Sequence, residues 1–140
     1  MLIDSRIEAH CRSFAEKLIS GVDALEREET LNLISRVWHG WTVPENADAY
    51  EALLKSEIFT GIQNRKIAGF RGVHLFRRNL GAEVEFVTVM WFDSIEAVRV
   101  FAGEDYEAAV VPPKARALLS RFDMRSQHYE VKASIWNQEK

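Results

Sequence analysis

The order of elements readable in this 140-residue chain predicts an α+β domain: a ferredoxin-like β-α-β-β-α-β antiparallel sheet with helices on one face. Three observations carry that expectation. Residues 83–92 (EVEFVTVMWF) form the most strand-like run in the chain. They follow a basic and β-branched strand, residues 70–78, across a turn containing Gly81, so the pair reads as a hairpin. Directly afterwards Asp93 and Ser94 offer N-cap oxygens, Glu96 suits a capping box, and Ile95, Val98, Phe101 and Ala102 recur at helical spacing until Gly103.

The remaining elements complete the order. Residues 5–29 place Ile7, Cys11, Phe14, Leu18, Val22 and Leu25 three or four apart, which predicts an amphipathic helix in an N-terminal extension spanning 1–30. Its apolar stripe is expected to pack on the main domain or across a dimer, and its acidic polar face argues against a membrane surface. Residues 31–42 (LNLISRVWHGWT) predict a first strand, opening the main domain of residues 31–140. Thr42 and Glu45 then have capping-box spacing, Pro44 suits a first helical turn, and Ala47, Tyr50, Leu54 and Ile58 give the helix one apolar side. Beyond Gly103, Asp105 can cap a short turn that Pro112 and Pro113 interrupt. Ala115, Leu118, Leu119 and Phe122 resume helical spacing over residues 113–122, and residues 125–134 predict a last strand before a loosely held tail.

Within the third strand Val84, Phe86, Met90 and Phe92 share one side, and Val87, Val89 and Trp91 the other. Both sides call for burial, but helices cover only one face in this topology. The second face is therefore expected to meet the same face of another copy, making a homodimer.

Composition restricts the function classes. The chain is 47% hydrophobic and 28% charged, with a formal charge of −3. Seven acids against four bases lie in residues 1–30, whereas residues 31–140 balance 14 against 14. A neutral main body argues against nucleic-acid binding, which needs cations to neutralise phosphates. No run approaches the ~20 apolar residues of a bilayer-crossing helix, and the lone Cys11 makes no internal disulfide, which fits a reducing cytoplasmic setting. Glycine-rich phosphate loops, paired CxxC, HExxH and GxSxG are absent, so the usual warrants for nucleotide, zinc or serine-hydrolase chemistry are missing.

The strand ending HGWTVPENADAYEALL, the GFRGVHLFRR strand, the TVMWFDSIEAVRVF strand-to-helix passage and the EDYEAAV segment together resemble the antibiotic biosynthesis monooxygenase family, of the dimeric α+β barrel superfamily. The resemblance covers about residues 31–131. It implies two four-stranded sheets facing each other and, in each subunit, a helix–sheet cleft that accepts an aromatic or polycyclic molecule. It also implies cofactor-independent oxygenation, or heme degradation as in one branch. The heme-degrading branch uses an Asn, a Trp and a His, whose positions fall near Trp38, near Val100 or Phe101, and near Val110. None of the three is kept, so a heme would need another ligand, His39, His74 or His128. No cofactor and no metal is expected.

Candidate site residues follow from chemistry. An imidazole can remove a phenolic or enolic proton near neutral pH. His39, His74 and His128 each sit in a predicted strand beside aromatics, while His10 lies on the N-terminal helix. His74, central in the hairpin, is the first choice as base. A turn of four residues pairs it with Val87, on the face of Trp91, and a turn of three pairs it with Thr88, on the face of Phe92. Trp38, Trp41, Phe76, Trp91 and Phe101 are candidate walls of an aromatic pocket, with His39 and His128 beside them; Tyr106 is a candidate donor to a substrate oxygen. Core packing is the commoner reason for such aromatics, since aromatic strand residues occur in any sheet. Glu83 and Glu85 read as the wet end of a strand, and Arg77 and Arg78 as its solvated partners. A non-catalytic ligand-binding or interaction module is the alternative function.

Overall fold

The computed structural model describes residues 32–137. The predicted N-terminal helix, with the 1–30 extension, lies outside them. Strand β1 (Ile34–Thr42) is central in a five-stranded antiparallel sheet. On one side it pairs with β3 (Val84–Phe92), beyond which lies β2 (Phe70–Asn79). On the other side it is flanked by two short strands, β4 (Arg121–Phe122) and β5 (Gln127–Glu130). This is the ferredoxin-like order with its last strand broken in two.

The β2–β3 hairpin pairs Asn79 with Val84 and His74 with Val89, a register different from both sequence alternatives. The turn slides to residues 80–83 because Asn79 Oδ1 accepts from the Gly81 N–H at 2.9 Å, and the Leu80 N–H donates to the Glu83 carbonyl at 2.8 Å. Alternation then decides the faces. Ile34, Arg36, Trp38, Gly40 and Thr42 share a face with Val84, Phe86, Thr88, Met90 and Phe92. His39 and Trp41 share the opposite face with Glu85, Val87, Val89, Trp91, His74 and Phe76.

Helix α1 (Pro44–Leu53) begins at Pro44 as expected, but the Thr42 capping box is not made. Thr42 is the core-facing end of β1, paired with Val84, and its buried hydroxyl has no partner; Val43 occupies the cap without a side-chain bond. A π-helical turn, Leu54–Ile58, joins α1 to α2 (Phe59–Asn64). Helix α3 (Ile95–Ala102) is capped by Ser94, whose Oγ accepts from the Ala97 N–H at 3.2 Å. Asp93 does not join the cap but faces Arg71, Nη2 to Oδ2 at 2.9 Å.

The last third departs most from its periodicity. Helix α4 stops at Pro113–Leu118, and Phe122 belongs to β4. The free edge of β1 captures the chain: the Ser120 N–H donates to the Trp41 carbonyl at 2.7 Å and the Asp123 N–H to that of His39 at 2.9 Å. The final strand keeps only Gln127–Glu130, because the chain between β4 and β5 turns aside to bond the 107–109 segment.

Two apolar clusters fill the space between sheet and helices. One gathers Ile34, Met90, Phe92, Val98 and Phe101; the other gathers Ala47, Tyr50, Leu54, Val84, Phe86 and Ala115. Burying each large side chain stabilises the fold by about 1.5–3 kcal/mol. Between the clusters the sheet presents Arg36, Trp38 and Thr88, and there the packing opens.

Candidate functional site in the helix–sheet cleft

The opening is a cleft. Arg36, Trp38, Thr88 and Met90 form its sheet side, and Tyr50, Leu54, Ile58, Phe59 and Ile62 its long helical wall. Phe101, the 110–112 segment, Ala115 and Ser126 close the rest. The π-helical turn supplies Leu54 and Ile58 to this wall. The cleft with its open mouth spans about 550 Å³. Small-molecule clefts run from roughly 300 to 1,000 Å³, so this one has room for an aromatic ligand.

Arg36 is the unusual group. It is 3% exposed. Nη1 donates to the Tyr106 carbonyl and to His128 Nε2, the latter at 3.0 Å, and Nη2 donates to the Ala108 carbonyl at 3.1 Å. These contacts use three of the five N–H groups of a guanidinium, so two remain. Its carbon lies 5.4 Å from the Phe101 ring centroid, a cation–π arrangement. Among the described residues no carboxylate forms an ion pair with it. Burial lowers its pKa to about 10, partly offset by Glu107, which leaves it charged at neutral pH.

His128 stands behind Arg36, on the helix-facing side of β5. Arg36 has no acceptor, so Nε2 of His128 accepts and the imidazole proton sits on Nδ1, which is buried without a partner. Burial first, then the Arg36 charge, holds this imidazole below its ordinary pKa, with Glu107 opposing. Tyr106 meets the His128 ring edge-on, centroids 5.2 Å apart. Another orphan belongs to a residue of the cleft: Ser126, 3% exposed, has a buried Oγ with no hydrogen-bond partner among the described residues.

The structure divides the predicted site residues between two faces. Trp38 and Phe101 line the cleft. The Trp38 Nε1–H donates to the Asp123 carbonyl at 2.8 Å. His128 and Tyr106 support Arg36 from behind; Tyr106 gives its backbone carbonyl, and its side chain does not line the cleft. The others are on the opposite side of the sheet. There the Trp91 Nε1–H donates to His74 Nδ1 at 3.0 Å, and His74 stacks on Phe76, which is 52% exposed. His39 Nδ1 lies 2.9 Å from Glu85 Oε2 and stacks on Trp41, whose other neighbour is the Arg121 guanidinium at 3.9 Å.

The first-choice base, His74, is therefore not in the cleft, because its pairing with Val89 gives it the parity of the helix-free face. Glu85 also departs from expectation. It is buried at 9% exposure, and hydrogen bonds from His39 and then Arg78 hold its carboxyl below the usual range despite desolvation. Arg36, Tyr50 and Ser126 escaped sequence reasoning. One signal was available: Arg36 shares strand parity with Ile34 and Trp38, a charge on an otherwise core-facing row.

The heme implied by one branch of the resemblance does not fit this cleft as it stands. No imidazole lines it, and Val110, which does, has no atom that can ligate iron. Among the described residues no group of three or more His, Cys, Asp or Glu is placed to hold a metal ion, and no helix is long and apolar enough to cross a membrane.

A single antiparallel sheet of this order, with helices on one face and a cleft beneath them, is the ferredoxin-like α+β fold. The crystal structure of a Bacillus cereus protein described as a candidate antibiotic biosynthesis monooxygenase superposes with a TM-score of 0.54 at 15% identity, covering 76% of this chain and 99% of that one. A conserved protein from Methanosarcina mazei Go1 superposes with a TM-score of 0.55 at 16% identity and the same coverage. Likeness at such identities establishes the fold alone. No family model matches the chain, and no curated protein matches it significantly.

Proposed function

We propose that the chain is a cofactor-independent monooxygenase acting on a phenolic or enolisable small molecule bound in the helix–sheet cleft. The observation that carries this reading is the convergence of the aromatic walls Trp38 and Phe101 on the buried Arg36, with the half-buried His128 behind it. The chemistry needs no external reductant. When a phenol becomes a quinone, one atom of dioxygen enters the ring carbon, the other leaves as water, and the substrate's own C–H and O–H supply the two hydrogens. Ionisation of the phenol or enol comes first, because the anion gives up an electron to dioxygen far more readily than the neutral molecule.

Of the three strand histidines only His128 lies on the cleft's side of the sheet. It does not line the cleft and its one lone pair accepts from Arg36, so its role in this reading is positioning: it holds the guanidinium that favours the ionised substrate. We further propose that two copies meet through the helix-free face. Val37, Val87, Val89, Trp91 and Phe76 make that face apolar, and helices α1 to α4 pack on the other. A cytoplasmic setting accompanies this reading.

Oxygen uptake above the autoxidation rate, measured with a panel of single-ring and fused-ring hydroquinones, tests the reaction. Uptake is expected with at least one compound, His128→Ala is expected to lose at least about tenfold in rate through the loosened Arg36, and His74→Ala to retain it. Absence of uptake across the panel overturns the oxygenase. A ligand-binding module without catalysis is the second reading, favoured by the lack of any imidazole in the cleft lining; saturable binding with no uptake would establish it.

A further inference from the structure

We propose that Arg36 and Ser126 form a counter-site for an ionised oxygen carried by an aromatic ring, phenolate or carboxylate, bound in the cleft. This rests on the cleft being a ligand site and names the form in which the ligand is held. The argument is one of unmet valence. A buried cation usually has an anionic partner, because removing a charge from water costs several kcal/mol unless another charge compensates. Arg36 has carbonyls and a neutral imidazole, which satisfy hydrogen bonds but leave its charge uncancelled.

The neighbouring titratable groups do not cancel it. Tyr50 lines the cleft with its hydroxyl held well above its ordinary pKa by burial, hence neutral. His128 is neutral, and Tyr106 packs against it. Glu107 acts on Arg36 from a distance and lies 3.4 Å from Arg125. Ser126 is an independent observation among the cleft residues: a buried hydroxyl without a hydrogen-bond partner among the described residues, which an oxygen seated beside Arg36 would satisfy once the lining shifts to uncover it. Trp38 and Phe101 supply flat apolar contact for the ring that carries the oxygen.

The test uses 4-nitrophenol, whose anion is visible by absorbance, with uncharged 4-nitroanisole as its near-isostere and benzoate as competitor, on the full chain. The apparent pKa of bound 4-nitrophenol is expected to fall by about one unit or more, a roughly tenfold preference for the anion. Nitroanisole is expected to bind at least about tenfold more weakly than the phenolate. Arg36→Met removes the preference while nitroanisole affinity stays within about threefold, and Ser126→Ala weakens phenolate alone. Should Arg36→Met fail to fold, Arg36→Lys and Ser126→Ala carry the comparison, both expected to lower phenolate affinity selectively. Displacement of 4-nitrophenolate by benzoate at equal concentration identifies the recognised group as a carboxylate; failure of benzoate to displace it identifies a phenolate. Equal binding of 4-nitrophenol and 4-nitroanisole, unchanged in the variants, overturns the counter-site but leaves the cleft as a ligand site. Binding of neither probe overturns both.

Discussion

Gly40→Ala is the sharpest probe of how the cleft is built. Gly40 lies on the helix-facing row of β1, two residues from Trp38, whose indole folds over it. A Cβ at Gly40 would meet Trp38 Cη2 at 2.8 Å, Trp38 Cζ3 at 3.0 Å and Leu119 Cδ2 at 3.0 Å. Ordinary carbon–carbon contacts lie at ~3.5–4.0 Å, so the ring must retreat by roughly 0.5–1 Å. Its Nε1–H is held by the Asp123 carbonyl at 2.8 Å, so retreat strains the tie between β1 and the chain joining β4 to β5. Overpacking costs about 1–3 kcal/mol and a weakened hydrogen bond about 0.5–1.5. Alanine's smaller unfolded-state entropy returns about 0.4–1. The net destabilisation is about 0.5–4 kcal/mol, or roughly 2–14 °C in Tm for a domain of this size. Thermal unfolding followed by tryptophan fluorescence measures it, with 4-nitrophenol affinity as the functional readout. In the double variant with Trp38→Phe the smaller ring relieves the clash, so the two changes should be non-additive by at least about 1 kcal/mol. A Gly40→Ala protein within about 0.5 kcal/mol of the parent and with unchanged affinity refutes this account of the wall.

Three further outcomes are expected. Val87→Lys on the helix-free face should convert a dimer to a monomer in sedimentation velocity at micromolar concentration; a monomeric parent, or a variant that stays dimeric, removes the pairing proposal. The His128 imidazole should titrate below the ordinary histidine pKa by NMR, and Arg36→Met should raise it. Because the folded protein disfavours the protonated form, the stability tied to His128 is complete above the unfolded imidazole pKa and declines as pH falls toward the folded value. Glu85 is held below its ordinary pKa, so its contribution is present above the unfolded carboxyl pKa and is lost as pH falls through the folded one. Glu85→Gln should therefore flatten the acid limb of a denaturation curve, and an unchanged limb counts against the His39–Glu85–Arg78 cluster.

The paired probes of the cleft and the face also separate two kinds of site. Under these two proposals, binding of an anionic ring would depend on Arg36, Ser126 and the Trp38 wall, and self-association on Val37, Val87 and Phe76 across the sheet. A variant on one face that moves the other readout would indicate coupling through β1 and β3, which carry residues of both faces.

Much of this arrangement was legible in the chain itself. Strand alternation in β3 sorted Val84, Phe86, Met90 and Phe92 from Val87, Val89 and Trp91, and the hairpin, the Ser94-capped helix and the helix beginning at Pro44 followed from local propensity and capping chemistry. Those are short-range effects, written in neighbouring residues. What tertiary structure alone decided were matters of register and competition. The slide of the hairpin turn to residues 80–83 paired His74 with Val89 and placed it away from the cleft, since side-chain direction reverses with each residue. The unpaired edge of β1 took Arg121 and Phe122 from a helix that periodicity had extended to them. Arg36 became a buried cation without a carboxylate partner among the described residues only because the 106–108 segment, β5 and α3 converge on it from distant parts of the chain. Local sequence sets which segments become strands and helices; only packing brings together the charges and orphaned hydroxyls that give a cleft its chemistry.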